Sequence, residues 1–187
     1  QNYKMLDIID NFLPEEDFNS ILESLQDNNI IKWEFVPQLN PNAKDEHGFQ
    51  FTHNYYNDLH YYKEQYNNSH KIPMMILKRY TDMKRKKYTL SRARVNLFIN
   101  TSHKNKPMGF HKDIEKDFKL EKDAFFGTLL LYLEDSDGYT EMKTGEKIES
   151  KRNRLFAFNA ELEHQTVSHT SCLFRRNINI NFKELNG

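Results

Sequence analysis

Residues His111 and Asp113 stand two apart in the segment MGFHKDIEKD, and both side chains can bind a metal ion. Two histidines and one carboxylate form the ligand set of a well-known kind of non-haem iron site. Residues at positions i and i+2 of an extended strand point to the same side, so this spacing suits two ligands of one ion. The spacing alone also fits two polar residues of a solvated loop, and a third ligand from a distant strand must decide between these interpretations.

The candidate for the third ligand is His164 in the segment LFAFNAELEHQTV. It follows the apolar run RLFAF after a short polar turn, which places it at the mouth of a β-barrel. Two histidines and one carboxylate leave about half of an octahedral iron open, which an Fe(II) oxygenase needs for oxygen and an electron-donating co-substrate. His169 competes for this role, but it follows the polar segment TVS and is better interpreted as a surface-turn residue.

Arg175 follows His164 by eleven residues and opens the run RRNININF. A guanidinium inside a barrel is well suited to bind a carboxylate through two parallel hydrogen bonds. The alternation of a strand places the following residues on two faces. One face has Arg175, Asn177, Asn179 and Asn181, and the other has Arg176, Ile178, Ile180 and Phe182.

The elements that must position these residues change in type along the chain. The segment IIDNFLPEEDFNSILESLQDN predicts a short strand and then a helix that begins near Pro14, and IPMMILKRYTDMKRKK predicts a second helix. Residues 34–66 have no clear period and predict a long loop. The runs RARVNLFIN, FFGTLLLYLE, NRLFAF and LFRRNININF are short and β-rich. We therefore expect one mainly β domain of the α+β class over residues 1–187, with a helical part over about 1–88 and a β-sandwich or barrel over about 89–183.

The composition limits the location and the partners of the protein. Its formal net charge is zero, so bulk electrostatics does not favour a polyanionic partner such as nucleic acid. No apolar run approaches the roughly 18 residues of a membrane span, and the N-terminal residues do not have the layout of a secretory signal. Cys172 is the single cysteine, which excludes an internal disulfide. These features predict a cytoplasmic protein without a membrane partner.

The ordered motifs resemble the Fe(II)/2-oxoglutarate-dependent dioxygenases, specifically their prolyl 4-hydroxylase-like branch. The resemblance covers about residues 92–182 through HKD, LLLYLED, DGYTE, RLFAF, EHQTV and FRRNINI, with a weaker match in IIDNFLPEEDF. It implies a double-stranded β-helix core, the cupin-like jelly roll, buttressed by helices.

The same resemblance implies the roles of five residues. His111, Asp113 and His164 would be the catalytic, iron-binding residues. Arg175 and the hydroxyl of Tyr132 would bind the distal carboxylate of 2-oxoglutarate. Molecular oxygen would be the second co-substrate, and ascorbate would serve as a reductant.

The chain departs from the family pattern at two points. Tyr139 stands where the family has the second glycine of a hairpin, so the substrate-facing turn is expected to differ in shape. The arginine follows the distal histidine by eleven residues rather than ten, and Arg176 stands beside it as an alternative to Arg175.

The implied reaction is hydroxylation of an unactivated C–H bond, in a peptidyl (prolyl) or amino acid substrate, with succinate and carbon dioxide as co-products. The aromatic segment 49–66 is a candidate lid. A nucleic-acid dealkylating dioxygenase is the second hypothesis, but relatives of that kind carry the pattern R-x-N-x-x-x-R, and here Asn181 takes the place of the second arginine. The third hypothesis is a non-catalytic jelly-roll binding module, which the complete set of ligands disfavours.

Overall fold

The computed structural model describes residues 6–37, 48–58, 70–114 and 124–185, and these form two helices and ten strands. The helices are α1 (Glu15–Ser24) and α2 (Lys71–Lys84). The strands are β1 (Leu6–Ile9), β2 (Glu34–Val36), β3 (Gln50–Asn57), β4 (Tyr88–Ile99), β5 (Phe126–Tyr132), β6 (Tyr139–Met142), β7 (Lys147–Glu149), β8 (Arg154–Asn159), β9 (His164–Val167) and β10 (Phe174–Glu184).

The strands form two antiparallel sheets that pack face to face. The large sheet has the order β1-β8-β5-β10-β4-β3-β2, and the small sheet has the order β7-β6-β9. A buried cluster joins β5 and β8 of the large sheet to β6 and β7 of the small one; its members are Leu130, Tyr132, Met142, Ile148, Phe156 and Phe158. This is a jelly roll, as the sequence predicted.

Both predicted helices are present, with ends that their sequences explain. Helix α1 begins directly after Pro14, and its first turn carries three acidic residues, which suit the partial positive charge at a helix N-terminus. Helix α2 ends where Arg85 adopts a left-handed conformation with a φ of 53°. Among the described residues, no helix is long and apolar enough to cross a membrane.

The two helices cover the outer face of the large sheet. Phe18 and Ile21 of α1, with Ile76, Leu77 and Tyr80 of α2, are buried in one apolar cluster with residues of the sheet. Strands β4, β5 and β10 contribute every second residue to this cluster, including Val95, Leu129, Leu131, Ile178 and Ile180. The hydrophobic contact with the helices therefore fixes which face of each central strand points outward.

The remaining residues of the central strands face the small sheet, and many of them are polar. On β10 the buried polar residues are Arg175, Asn177, Asn179 and Asn181, and the alternation predicted for this strand is confirmed. On β4 the corresponding residues are Arg92, Arg94 and Asn96, which lie opposite Asn181, Asn179 and Asn177. The space between the sheets is thus polar where β4 and β10 run side by side.

Residues 34–66 differ from the long loop that the sequence predicted. Strands β2 and β3 lie within this segment and extend the large sheet beyond β4. Strand β3, QFTHNYYN, carries few aliphatic residues and has an irregular register between Asn54 and Tyr56, so its period is hard to recognise. Residues 50–57 of the candidate lid are therefore paired strand, and its residues 59–66 lie outside the described ranges. The expected helical part accordingly contains β1, β2 and β3 as well as both helices.

Gly127 on β5 lies against the buried ring of Phe182, and a Cβ atom at this position would be 2.6 Å from Cε1 of that ring. The ring is held by Tyr88 and Tyr80, at centroid distances of 4.5 and 6.0 Å. Overpacking a core in this way destabilises a protein by about 1–3 kcal/mol, so we expect Gly127→Ala to lower the free energy of unfolding by that amount in urea denaturation. Gly127→Ala should cost less in a Phe182→Leu background than in the unaltered protein, and an equal cost in both would show that the loss has another origin.

Candidate functional site

Three potential metal ligands converge beside the space between the sheets. The ligand atoms of His111, Asp113 and His164 all lie within 4.8 Å of one another, and no other such group was found in the described parts of the chain. Nε2 of His164 is 3.9 Å from Oδ2 of Asp113, and the two imidazole rings are 4.5 Å apart between centroids. Asp113 and His164 are buried and His111 is partly buried. These three side chains can contact one ion together.

Backbone hydrogen bonds bring the distant parts of this site together. His111 and His164 exchange both backbone hydrogen bonds, with N–O distances of 2.9 and 3.0 Å. The amide of Asp113 donates to the carbonyl of Ala160 at 3.1 Å. The expected strand edge at residues 111–113 is therefore reduced to one bridged pair, although the side chains converge as the spacing predicted. His164 opens β9 after a short turn from β8, also as predicted.

The backbone also orients both imidazole rings. Nδ1 of His111 is 3.2 Å from the carbonyl oxygen of Gly109, and Nδ1 of His164 is 3.0 Å from that of Leu162. A protonated Nδ1 would donate to these carbonyls and leave the lone pair of Nε2 for a metal ion. Burial and the neighbouring His164 lower the pKa of His111, which favours the neutral form that binds metals.

The carboxylate of Asp113 is held by donors from three strands. Thr128 of β5 donates its hydroxyl to Oδ2 at 2.7 Å, and Asn181 of β10 lies 3.3 Å from the same oxygen. Arg92 of β4 is 3.4 Å from Oδ1 and donates to Asn181 at 2.8 Å. Burial alone would raise the pKa of Asp113, but His164, Arg92 and these donors hold it well below its ordinary value. Asp113 is therefore an anion at neutral pH.

Sequence reasoning did not identify Thr128 and Arg92. Both lie opposite Asn181, one on each neighbouring strand of the large sheet. The strand register that brings them together is a tertiary feature, and no local motif in the sequence marks it.

Arg175 and Tyr132 are also buried between the sheets, each with about 1% of its surface exposed. Nη2 of Arg175 donates to the carbonyl of Val167 at 3.1 Å, and the guanidinium lies 5.3 Å from the ring centroid of Phe98. Its Nε has no hydrogen-bond partner among the described residues. Tyr132 donates its hydroxyl to Thr140 at 2.7 Å, and burial raises the pKa of this hydroxyl to about 12, so it stays protonated. Both side chains can donate to a ligand carboxylate.

The neighbouring Arg176 points to the other face of β10. Its Nε lies 2.8 Å from a carboxylate oxygen of Glu134, and its backbone amide donates to the other oxygen at 2.6 Å. This ion pair fixes Arg176 away from Tyr132. The geometry thus favours Arg175 over Arg176 as the arginine that faces the interior.

A cavity of about 120 Å³ lies between the two histidines of the metal-ligand group and the residues that contact Arg175 and Tyr132. His111 and His164 line one part of it. Phe98 and Thr140 line another part, and these two residues contact Arg175 and Tyr132 respectively. A small dicarboxylic acid held between the metal site and Arg175 would occupy part of this cavity.

Gly138, in the hairpin segment DGYTE, packs directly against Arg175. A Cβ atom at residue 138 would lie 2.8 Å from Cζ of Arg175 and 3.0 Å from Cβ of His169. His169 is 1% exposed, so its expected place in a surface turn was wrong. Burial and Arg175 lower the pKa of His169, because a second positive charge there is unfavourable. His169 belongs to the surroundings of Arg175 and does not join the metal-ligand group.

Comparisons with known proteins support the fold. No protein-family model matches the sequence, and no curated protein matches it. Among solved structures, a 2OG-Fe(II) oxygenase family oxidoreductase from Burkholderia pseudomallei is similar with a TM-score of 0.67 at 12% identity, over 97% of this chain and 86% of that one. A prolyl hydroxylase from Trichoplax adhaerens, solved with a hypoxia inducible factor peptide, has a TM-score of 0.60 at 15% identity, over 98% and 84%. OsALKBH1 has a TM-score of 0.65 at 14% identity, over 94% and 96%.

Proposed function

We propose that this protein is an Fe(II)- and 2-oxoglutarate-dependent oxygenase that hydroxylates an unactivated C–H bond. The main support is that two imidazoles and one carboxylate converge beside a cavity that reaches the surroundings of a buried arginine. Two of the similar folds are described as a 2OG-Fe(II) oxygenase and a prolyl hydroxylase. When bound, iron and 2-oxoglutarate would supply the oxidising power, with succinate and carbon dioxide as co-products.

His111, Asp113 and His164 fit Fe(II) by their chemistry. Imidazole nitrogen and carboxylate oxygen are the donors of the two-histidine, one-carboxylate sites, which leave positions open for co-substrates. The backbone carbonyls behind both rings and the donors around Asp113 would keep the three side chains oriented towards the ion.

Arg175 and Tyr132 would hold the distal carboxylate of 2-oxoglutarate. A buried guanidinium whose Nε lacks a described partner gains a counter-ion when a carboxylate binds. The tyrosine can donate its single hydroxyl proton to the same carboxylate when Thr140 becomes the donor in the hydrogen bond that the two hydroxyls share. Phe98, beneath the guanidinium, would exclude water from this pair.

A peptidyl (prolyl) or amino acid substrate is the leading candidate, because the similar prolyl hydroxylase was solved with a peptide. Nucleic-acid dealkylation is the second candidate, because OsALKBH1, whose name places it with the AlkB-like proteins, has a similar fold. The dealkylating relatives carry an arginine at the position of Asn181, whereas Asn181 lies beside the carboxylate of Asp113 here. We therefore rank hydroxylation of a peptide or amino acid above nucleic-acid dealkylation. A single domain over residues 1–187 and a cytoplasmic location remain predictions.

The test is to mix the metal-free protein with Fe(II) and 2-oxoglutarate without oxygen and to record the weak visible charge-transfer band of the chelate. We expect the band in the unaltered protein and none in His111→Ala, because the variant lacks one of the three ligands. His53→Ala is the matched control, since it removes a partly buried imidazole whose Nδ1 lies 3.2 Å from the carbonyl oxygen of Lys32, away from the metal-ligand group and from Arg175. If folded protein gave no band while iron stayed free in solution, a non-catalytic binding module would be the better interpretation.

A further inference from the structure

Arg94 is a cation in the cavity wall to which the proposed reaction gives no role. It lies on β4 between Arg92, which contacts Asp113, and Asn96, which donates to Asn177 at 3.0 Å. Strand alternation turns all three residues towards the small sheet. Arg94 therefore faces the same space as the metal-ligand candidates, and it lines the cavity together with His111 and His164.

The surroundings of Arg94 do not balance its charge. Among the described residues that line the cavity, Arg94 is the only arginine or lysine, and none is acidic. Its Nε is buried and has no hydrogen-bond partner among the described residues. Burial and then Arg92 lower the pKa of Arg94, to about 10, which still leaves the side chain fully charged at neutral pH. The guanidinium as a whole is partly buried, and a buried donor without a partner is unfavourable, so an anion that pairs with Arg94 would stabilise it.

Asp113 is not available as this anion. Its carboxylate already accepts from Thr128 at 2.7 Å and lies near Arg92 and Asn181, and its remaining lone pairs would bind the metal ion. 2-Oxoglutarate is also accounted for, because its distal carboxylate belongs with Arg175 and its keto acid end with iron. An anion that pairs directly with Arg94 would then come from another molecule.

The residues beside Arg94 are suited to such a ligand. Asn179 pairs with Arg94 across the strands and lines the same cavity. Gln50 and Asn96 line the same cavity and can also donate hydrogen bonds. Carboxylates combine well with an arginine and neighbouring amides, because each carboxylate oxygen accepts more than one hydrogen bond.

We propose that Arg94 binds a carboxylate of the molecule to be hydroxylated, so that the substrate carries an acidic group close to the oxidised carbon. The substrate class is then a free acidic amino acid, or a peptide that presents an acidic side chain or its C-terminal carboxylate. This inference rests on the proposed function, which it deepens by giving the charge of the substrate.

The probe is acetate, with acetamide as its uncharged counterpart of similar shape. Each is titrated into oxygen-free protein loaded with Fe(II) and 2-oxoglutarate, and binding is read from the change in the visible band and from calorimetry. We expect saturable binding of acetate, at least about 10-fold weaker binding of acetamide, and a loss of at least about 10-fold for acetate in Arg94→Gln. Arg94→Lys should retain part of the binding. Arg176→Gln is the matched control, because it removes an equal charge that lies outside the cavity.

Four outcomes would overturn the inference. The first three are equal acetate binding in Arg94→Gln and unaltered protein, no acetate binding by loaded protein at about 100-fold excess over the protein, and displacement of 2-oxoglutarate by acetate. Weaker binding of 2-oxoglutarate itself by Arg94→Gln would assign Arg94 to the co-substrate and would also overturn it. Absence of the visible band in unaltered protein would instead contradict the proposed function, and the two failures are therefore distinguishable. L-aspartate and L-glutamate, compared with a blocked peptide containing one glutamate, then separate the two sources of the carboxylate.

Discussion

Arg175→Ala is expected to raise the Kd for 2-oxoglutarate by about 100-fold or more and to leave the affinity for Fe(II) nearly unchanged. Truncating one partner of a buried, hydrogen-bonded charge pair weakens binding by about 2–5 kcal/mol, and each 1.4 kcal/mol is about tenfold in Kd. Arg175 is almost fully buried and is not a member of the metal-ligand group, so its removal acts on the co-substrate alone. Titration of the visible chelate band at saturating Fe(II) measures this change.

Arg176→Ala provides the matched control for this prediction. It deletes the same charge from the adjacent residue, but Arg176 pairs with Glu134 on the other face of β10. Because this pair is largely shielded from solvent, we expect a loss of stability with an unchanged Kd for 2-oxoglutarate. Equal weakening of 2-oxoglutarate binding in both variants would contradict the assignment of Arg175, and weakening in Arg176→Ala alone would transfer the role to Arg176.

Gly138→Ala tests the same assignment without removing a charge. The new methyl group would overlap the guanidinium of Arg175, which must then move. We expect the Kd for 2-oxoglutarate to lie between the values for the unaltered protein and for Arg175→Ala. This result would show that the position of the guanidinium matters as well as its charge. The close contact with Arg175 therefore calls for a glycine at residue 138, the first of the two hairpin positions.

The candidate ligands and the β-rich core could be predicted from sequence because they depend on patterns within short segments of the chain. Three features of the sequence express the period of a strand or the length of a turn: the interval His-x-Asp, the run RLFAF before His164 and the alternation after Arg175. The same holds for α1 and α2, whose apolar residues recur at helical intervals and pack on the large sheet.

The surroundings of these ligands could not be predicted, because they depend on strand register. Thr128 and Arg92 reach Asp113 only because both lie opposite Asn181, and this pairing joins parts of the chain far apart in sequence. The sequence did not predict strand β3, because all residues of this strand are polar or aromatic rather than aliphatic. His169 looked like a turn residue because its neighbours are polar, whereas the return of the chain after β9 buries it against Gly138.

Asp113→Asn is expected to weaken Fe(II) binding by more than about 100-fold, which exceeds the 10–100-fold effects typical of residues that only support a ligand. The variant keeps the shape of the side chain but removes the anion from a site whose two other ligands are neutral. Thr128→Val should give a smaller loss of about 10–100-fold, because it deletes the 2.7 Å hydrogen bond that orients the carboxylate and leaves its charge in place. Fe(II) affinity measured by anaerobic titration, beside the thermal unfolding of each metal-free variant, separates a loss of the ligand from a loss of the fold. If both folded variants bound Fe(II) as tightly as the unaltered protein, iron would have to bind elsewhere, and the proposed function would lose its central support.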